Sequence, residues 1–179
     1  MEEPYVHKIF LNNKEIQKPF SLQKTGFLRD TESGEVAKSK LDKAIFAYPI
    51  KHYTDLQEIG TNGEHFAVLE MDEFTVFIGD TFKIGDAVIQ VSQPGPMSRQ
   101  QLQNGLQTGW YFRVIQEGLI QGATDFELLE RPYPEWSIAA CTEVVYLHQD
   151  DFRAADDLYA CDALGDIWRR TLQKRLRGF

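Results

Sequence analysis

Apolar positions alternate or cluster in short runs through most of the chain, and this pattern predicts β-strands. The runs are residues 5–11, 44–48, three segments within 74–93, 109–115 and 125–130. Two of the breaks, Gly79-Asp80 and Gly85-Asp86, favour tight turns because glycine adopts the backbone conformations that such turns need. Many short strands with closely spaced turns are typical of a barrel rather than of alternating strands and helices.

Three other segments of this part have different patterns. Residues 28–40 are polar and contain Gly34, which predicts an exposed loop. After Pro49, apolar residues recur at intervals of three, which predicts a short helix that ends at Gly60. Residues 136–148 fit a strand or a helix equally well, so the pattern leaves that choice open.

The character of the chain changes after His148 and becomes helical. Asp150 and Asp151 are candidate N-caps for a short helix through Tyr159. Asp162 is then expected to start a second helix with one apolar face and a solvated, cationic end that suits the helix dipole. The apolar residues are Leu164, Ile167, Trp168, Leu172 and Leu176, and the cations are Arg169, Arg170, Lys174, Arg175 and Arg177. Contact of these cations with a nucleic acid or an acidic partner is the alternative.

Composition limits what the protein can be. Its 179 residues suffice for one substantial domain, and a hydrophobic content of 42% supports a core without disulfides. The formal net charge of −8 argues against a general nucleic-acid binder, which needs a positive surface to displace counterions from phosphates. No apolar run approaches the roughly 20 residues that span a bilayer, and the N-terminus has no signal-peptide pattern. We therefore expect a cytoplasmic protein with neither a nucleic-acid nor a membrane partner.

Generic catalytic and metal-binding motifs are not found in the sequence. It has no glycine-rich phosphate loop, no His-Glu-x-x-His and no Cys-x-x-Cys, so no metal ligands are predicted. Cys141 and Cys161 lie in apolar or helical surroundings, where free buried thiols are expected. A Ser-His-Asp arrangement stays open, although no Gly-x-Ser-x-Gly motif points to one. Whether the protein is an enzyme is undecided at this point.

Several segments together carry a resemblance to a known family. VFIGDTFKIGDAVIQVSQP at 76–94, followed by GWYFRVIQEG at 109–118, resembles the MOSC domain, the C-terminal domain of molybdenum cofactor sulfurase. DKAIFAYPIKHY at 42–53 and GEHF at 63–66 are similar to the same family in the same order. The end of the chain, 145–176, resembles the trailing three-helix module of its bacterial stand-alone members.

The resemblance implies a fold and a function. The fold is mainly β with α: a MOSC-like closed β-barrel of mixed strands at residues 1–147 and a small C-terminal helical module at 148–179. The implied function is binding of the molybdenum cofactor, in a sulfur carrier or a molybdenum-dependent oxidoreductase. A small phosphorylated heterocycle is therefore the candidate partner, and the sequence does not indicate an oligomeric state. Pyridoxal phosphate, associated with larger fused members, is not expected because the domain that binds it is absent.

Three features depart from the family pattern. The cysteine of the family corresponds to Ser98, or to Met97. A thiolate is a soft ligand and carries a persulfide, whereas a serine hydroxyl stays protonated at neutral pH, so sulfur transfer at Ser98 is excluded. The arginine that commonly follows Gln-Pro is Gly95 here, and EVAKSKL at 35–41 replaces a histidine-rich stretch. We therefore interpret the site as degenerate for the family's chemistry.

Five residues remain that could hold a phosphorylated pterin: Lys43, His52, Glu64, Arg99 and Arg113. Arg113 lies in an apolar strand, where a charge is costly unless it binds an anion or pairs with an acid of a neighbouring strand; both alternatives stay open. Lys43 could equally form a surface ion pair, His52 could be structural, and Glu64 could cap its loop. Arg99 lies in the loop itself and could partly replace the missing arginine.

Two hypotheses of different class follow. In the first, the protein binds the molybdenum cofactor or a similar phosphorylated heterocycle through these residues. In the second, it is a non-catalytic binding or interaction module that has kept a degenerate MOSC barrel for its stability. The missing cysteine favours the second hypothesis for sulfur transfer and leaves simple ligand binding open.

Overall fold

The fold is mainly β-sheet, and its longer helices follow one another at the C-terminal end. The computed structural model describes residues 3–28, 37–55, 57–103 and 105–178. The strands are β1 (Tyr5–Leu11), β2 (Lys14–Glu15), β3 (Phe20–Leu22), β4 (Ile45–Pro49), β5 (Phe66–Leu69), β6 (Thr81–Ile84), β7 (Ala87–Pro94), β8 (Trp110–Gln116), β9 (Gly118–Ile120), β10 (Thr124–Asp125) and β11 (Glu127–Glu130). The helices are α1 (Lys38–Leu41), α2 (Arg99–Gln103), α3 (Ile138–Thr142), α4 (Phe152–Tyr159) and α5 (Asp166–Leu176).

Nine of the described strands form one curled, mixed sheet. The order along it is β10-β1-β5-β4-β8-β7-β6-β11, with β2 paired to β1, while β3 and β9 form a separate two-stranded sheet. Strands β4 and β5 are parallel, and the other neighbours in the large sheet are antiparallel. The edge strands β10 and β11 are separated in sequence by Phe126 alone. The expected mainly β fold with some α is confirmed, and the sheet is a curled half-barrel.

Alternation along the strands decides which side chains fill the inside of the sheet. On β8, Trp110, Phe112 and Val114 are buried, whereas Tyr111 and Arg113 lie on the other face, as the pattern predicts. Burial of large aromatic side chains contributes heavily to the stability of such a core. The same hydrophobic cluster continues into the helical end, where it includes Ala155, Leu158, Leu164, Trp168 and Leu172.

The tight turns predicted at Gly79-Asp80 and Gly85-Asp86 are confirmed. Gly79 and Gly85 have φ angles of 81° and 56°, in the left-handed region that favours glycine. Asn12 and Asn13, with φ angles of 52° and 64°, make the turn after the first strand. Asparagine tolerates this conformation better than most residues, so two of them in succession suit a tight hairpin.

The helix predicted to end at Gly60 is wrong. Of the described residues between 50 and 60, only Ile50–His52 is helical, as a single 3₁₀ turn. The backbone N–H groups of Gly60 and Asn62 donate to the Glu64 carboxylate at 2.9 and 3.1 Å, so they close a loop instead of joining a helical ladder. Leu56, one of the periodic apolar residues, lies outside the described residues.

The first apolar run between residues 74 and 93 is also not a strand. The Asp72 carboxylate accepts hydrogen bonds from the backbone N–H groups of Phe74 and Thr75 at 2.8 and 3.1 Å, which makes a turn there. In this run an isolated bridge joins Phe77 to Ser137. A side-chain acceptor near the start of the run has therefore overridden its strand propensity.

Two further predictions need adjustment. The strand predicted at 125–130 is interrupted at Phe126, whose side chain is buried and whose N–H donates to the carbonyl of Pro4 at 3.0 Å. In the polar segment 28–40, residues 29–36 lie outside the described residues. The last part of that segment, predicted as loop, contributes to the short helix α1.

The structure decides between strand and helix for residues 136–148, where the pattern left that choice open. Residues 138–147 of this segment are helical: α3 has Ser137 as its N-cap, and a π-helical segment, Glu143–Leu147, continues it. Helix α5 begins at Asp166, not at Asp162 as predicted, because residues 161–165 form a turn. Leu164 therefore precedes the helix, and Ile167, predicted on the apolar face, is 41% exposed. The predicted boundary at 147/148 stays a prediction.

Asp151 is the N-cap of α4, and its loss is expected to destabilise the protein. Its carboxylate accepts a hydrogen bond from the backbone N–H of Ala154 at 3.0 Å. Replacing Asp151 with alanine leaves that N–H without its acceptor, so we expect a loss of about 1 kcal/mol in the free energy of unfolding. Urea denaturation measures it. The neighbouring Asp150→Ala variant is the control and is expected to cost less than about 0.5 kcal/mol; equal effects would contradict the assignment.

Candidate functional site

A cavity of about 510 Å³ opens at the end of the sheet where β4 and β7 finish and β8 starts. We call it the mouth cavity. Its walls come from the end of β4, the 3₁₀ turn, the loop that follows, and the segment between β7 and β8. It is lined by Tyr48, His52, Thr54, Gln57, Asn62, Ser98, Gln100 and Gln107. The loop after Gln93-Pro94 therefore contributes the Ser98 side chain to the lining of this cavity.

The described lining of the mouth cavity is polar and almost uncharged. Hydroxyl and carboxamide groups dominate it, and His52 is its one titratable side chain besides the Tyr48 phenol. Carboxamides offer two donors and an acceptor each, so this lining can hydrogen-bond the edges of a polar ring in several ways. It offers no guanidinium or ammonium group for a phosphate.

His52 is held by a buried carboxylate. Its Nε2 lies 3.0 and 2.8 Å from the two carboxylate oxygens of Glu73, whose side chain is 2% exposed. Glu73 Oε1 also accepts the backbone N–H of Gly109 at 2.8 Å. Gly109 has a φ of 63°, and a Cβ there would lie 2.4 Å from the carbonyl oxygen of Ala47, so only glycine fits. The strands around the cavity thus fix the acid that orients His52.

A second buried carboxylate lies behind the loop of the cavity. Glu64 is 1% exposed, and besides two backbone N–H groups it accepts a hydrogen bond from the Tyr53 hydroxyl. Burial and this bond raise the pKa of Tyr53. Burial, and then the charges of Glu73 and Glu64, raise the pKa of Tyr48. The two acids therefore give the cavity wall a negative potential, and Glu64 caps its own loop, the simpler of the two roles considered for it.

Arg113 lies away from the mouth cavity and pairs inside the protein. It is three residues along β8 from Trp110, about 10 Å at the usual rise of a strand. Its Nε and Nη2 lie 3.0 and 2.9 Å from Oδ1 of Asp42, and its Nη1 donates to Gln90 at 2.7 Å. Its Nη2 also donates to the carbonyl of Ala163 at 2.8 Å. Arg113 was expected either to bind an anion or to pair with an acid, and in the structure it pairs with Asp42.

The Asp42 carboxylate also joins the sheet to the helical end. Its Oδ2 accepts the backbone N–H of Asp166 at 2.9 Å, at the start of α5. Next to it, the N–H of Gly165 donates to the carbonyl of Ser92 at 2.7 Å. Asp42 therefore occupies the place that an external anion would take between a guanidinium and a helix N-terminus.

The other predicted site residues are dispersed. Lys43 lies with its Nζ 5.8 Å from the centre of the Tyr111 ring, where a cation interacts with the π-face. Arg99 is exposed at the start of α2, directly after Ser98. The structure thus brings His52 and Ser98 to one cavity and Glu64 behind it, and it leaves Lys43 and Arg113 elsewhere.

The two cysteines are free and buried, as predicted. Burial, and then the charge of Glu135, raises the pKa of Cys161 to about 11. Burial also raises the pKa of Cys141. Neither thiol is among the residues that line the mouth cavity. Within the described ranges there is also no group of three or more His, Cys, Asp or Glu placed to hold a metal ion.

Comparison with known proteins shows what the chain is similar to. The model of the YiiM-like, 3-alpha helix domain matches residues 136–179. YflK of Bacillus subtilis is 29% identical over 173 residues, which cover 86% of this chain and 78% of YflK. YiiM of Escherichia coli is 28% identical over 184 residues, which cover 86% and 82%. The crystal structure of YiiM from Geobacillus stearothermophilus superposes with a TM-score of 0.75 at 28% identity, over 97% of this chain and 96% of that one.

The chain is similar to the YiiM proteins, and its C-terminal part matches their 3-alpha helix domain. YiiM proteins are stand-alone MOSC-domain proteins with a C-terminal helical module, so the resemblance read from the sequence is confirmed. The YiiM-like helical match begins at Trp136, just before α3. No described helix is both long enough and apolar enough to cross a membrane.

Sequence reasoning missed much of the mouth cavity. Glu73 lies in a turn and carried no signal, because nothing in the sequence places it beside His52, 21 residues earlier. The carboxamides of Asn62 and Gln107 look like ordinary loop residues. The one available signal was the cluster of glutamines around Ser98, which marked a polar segment without indicating what it faces.

Proposed function

We propose that the mouth cavity binds a pterin-type heterocycle, the organic part of the molybdenum cofactor, and that the protein does not carry sulfur. One observation carries the proposal. Ser98, at the position of the family's cysteine, lines the same cavity as His52 and a set of neutral hydroxyl and carboxamide groups. A pterin ring presents donors and acceptors on its edges, and such groups complement them.

The side chains of the cavity suit the pterin ring of the cofactor better than they suit its phosphate or a sulfur atom. Asn62, Gln57 and Gln107 would hold the ring, and Arg99 is the cation nearest in sequence that would meet its phosphate. When bound, the cofactor supplies redox chemistry at molybdenum. Ser98 offers a hard oxygen donor in place of a soft thiolate, so the lining fits the heterocycle and does not fit persulfide transfer.

The test is the content of protein purified from a host that makes the molybdenum cofactor. We expect about one pterin per chain, measured by fluorescence after oxidative release, and molybdenum measured by mass spectrometry. An Asn62→Ala/Gln100→Ala variant removes two carboxamides of the cavity, and its pterin content is expected to fall at least about tenfold, the equivalent of 1.4 kcal/mol or more. Gln17→Ala, an exposed amide elsewhere, is the matched control. Wild-type protein without pterin from that host would contradict the proposal.

The second candidate function is a non-catalytic interaction module on a degenerate MOSC barrel. The observation that favours it is the internal pairing of Arg113, whose guanidinium is occupied by Asp42, Gln90 and a backbone carbonyl. An arginine so engaged has little left to offer a phosphate. Protein that remains free of pterin while retaining its fold would favour this candidate.

A further inference from the structure

We propose that Ser98, His52 and Glu73 form a hydrolytic site that cleaves small carboxylic esters with uncharged acyl groups. The serine and the histidine line one cavity, and the buried acid holds the histidine at hydrogen-bond distance. This activity goes beyond cofactor binding and does not depend on it. A nucleophile, a base and an acid that orients the base are the parts that acyl transfer needs, whatever the fold.

The contact with Glu73 decides which nitrogen of His52 acts as the base. A carboxylate only accepts hydrogen bonds, so the proton of the neutral ring lies on Nε2 and points to Glu73. Among the described residues, Nδ1 has no hydrogen-bond partner, and it carries the lone pair. The Glu73 charge also stabilises the imidazolium that forms when Nδ1 takes up a proton. Glu73 is therefore a positioning residue.

The reaction follows from this arrangement. Ser98 Oγ bonds to the ester carbonyl carbon while its proton moves to Nδ1 of His52. The bond between that carbon and the alcohol oxygen then breaks, and the alcohol leaves with the proton from Nδ1. Water attacks the acyl-serine in the same way, which releases the acid and restores the hydroxyl. The carboxamide N–H groups of the cavity, such as those of Asn62 and Gln107, supply donors for the oxyanion.

The charge around the cavity indicates the class of substrate. The described lining has no guanidinium or ammonium group, and the carboxylates of Glu64 and Glu73 are buried behind it. An anionic acyl group would meet repulsion there, whereas an uncharged one would not. A volume of about 510 Å³ suits a small ester.

A fluorophosphonate probe tests the site directly. The serine oxygen forms a bond to phosphorus, fluoride leaves, and the serine proton goes to His52. We expect covalent labelling of Ser98, located by peptide mass spectrometry, and its loss in Ser98→Ala. In His52→Gln the rate of labelling is expected to fall about 100-fold or more, as for removal of a general base. Ser21→Ala and His7→Gln, which change exposed residues elsewhere, are the matched controls and should label like the wild type.

Hydrolysis of p-nitrophenyl acetate shows whether Glu73 acts by orienting His52 or only by keeping the protein folded. In Glu73→Gln, kcat is expected to fall at least about tenfold while KM stays unchanged, because the loss concerns the imidazolium and not ester binding. Circular dichroism confirms that each variant is folded. Wild-type protein that is not labelled at Ser98, under conditions that label a known serine hydrolase, would overturn the proposal. Labelling that persists unchanged in folded His52→Gln would overturn it too.

Discussion

Replacing Asp42 with alanine is expected to lower the free energy of unfolding by about 3 to 5 kcal/mol. The Asp42 side chain is 2% exposed and that of its partner Arg113 is 16% exposed. Without the carboxylate, the guanidinium keeps its charge in a largely dry site, and the backbone N–H of Asp166 loses its acceptor. Because these contacts join the sheet to α5, the helical end should also exchange its amide protons faster.

Urea denaturation measures this loss, and two further variants show its origin. Glu15→Ala removes one partner of the exposed Lys8–Glu15 pair, at 3.5 Å and 37% and 35% exposure, and should cost less than about 1 kcal/mol. In Asp42→Ala/Arg113→Met no charge is left buried, so the double variant should be no less stable than Asp42→Ala alone. If Asp42→Ala costs as little as Glu15→Ala, the pair does not have the role assigned to it.

Local patterns predicted the strands well where one face of the sheet is buried. On β8 the alternation of Trp110, Phe112 and Val114 with Tyr111 and Arg113 is set by the pleat of the strand, so the sequence alone reveals it. The patterns gave wrong predictions where a side chain accepts hydrogen bonds from the backbone. The carboxylates of Glu64 and Asp72 accept backbone N–H groups and form turns in segments whose apolar spacing favoured a helix or a strand.

The candidate site could be predicted only in part, because its residues are distant in sequence. Ser98 and His52 were selected through the family resemblance, and both line the mouth cavity. Arg113 was selected because a charge in an apolar strand needs a partner, and that reasoning was sound although it could not identify Asp42, 71 residues away. Glu73 had no such signal, since an acid next to Asp72 in a polar turn looks like any solvated residue.

The serine at position 98 links the two uses that we propose for the mouth cavity. A thiolate there would be a soft ligand, whereas a hydroxyl needs a base before it reacts. His52, which lines the same cavity, is held by a carboxylate that can stabilise its protonated form. The cavity that we propose for a neutral heterocycle therefore also has the groups for ester cleavage, and the pterin and fluorophosphonate experiments distinguish the two uses independently.

The protein is expected to become less stable as the pH falls from 6.5 to 4, by about 3 kcal/mol from His65 alone. Burial lowers the pKa of His65 from 6.5 to about 4. In the folded protein its Nδ1 accepts the backbone N–H of Phe46 at 2.8 Å, and its ring stacks on Phe27 with 4.4 Å between centres. Protonation would put a hydrogen on Nδ1 facing that N–H. Between these pH values the unfolded chain binds the proton and the folded one does not, so acid favours unfolding.

The comparison of wild type with His65→Asn isolates this contribution from those of other groups. Asparagine can place an acceptor near the position of Nδ1 and does not titrate, so the variant loses ring stacking at every pH but keeps a flatter profile. Urea denaturation at intervals between pH 7 and 4 gives the two curves, which should converge as the pH falls. Exposed His7 is the matched control, and His7→Asn should follow the wild-type curve. Parallel curves for wild type and His65→Asn would mean that His65 takes up its proton without unfolding, and that the lowered pKa is wrong.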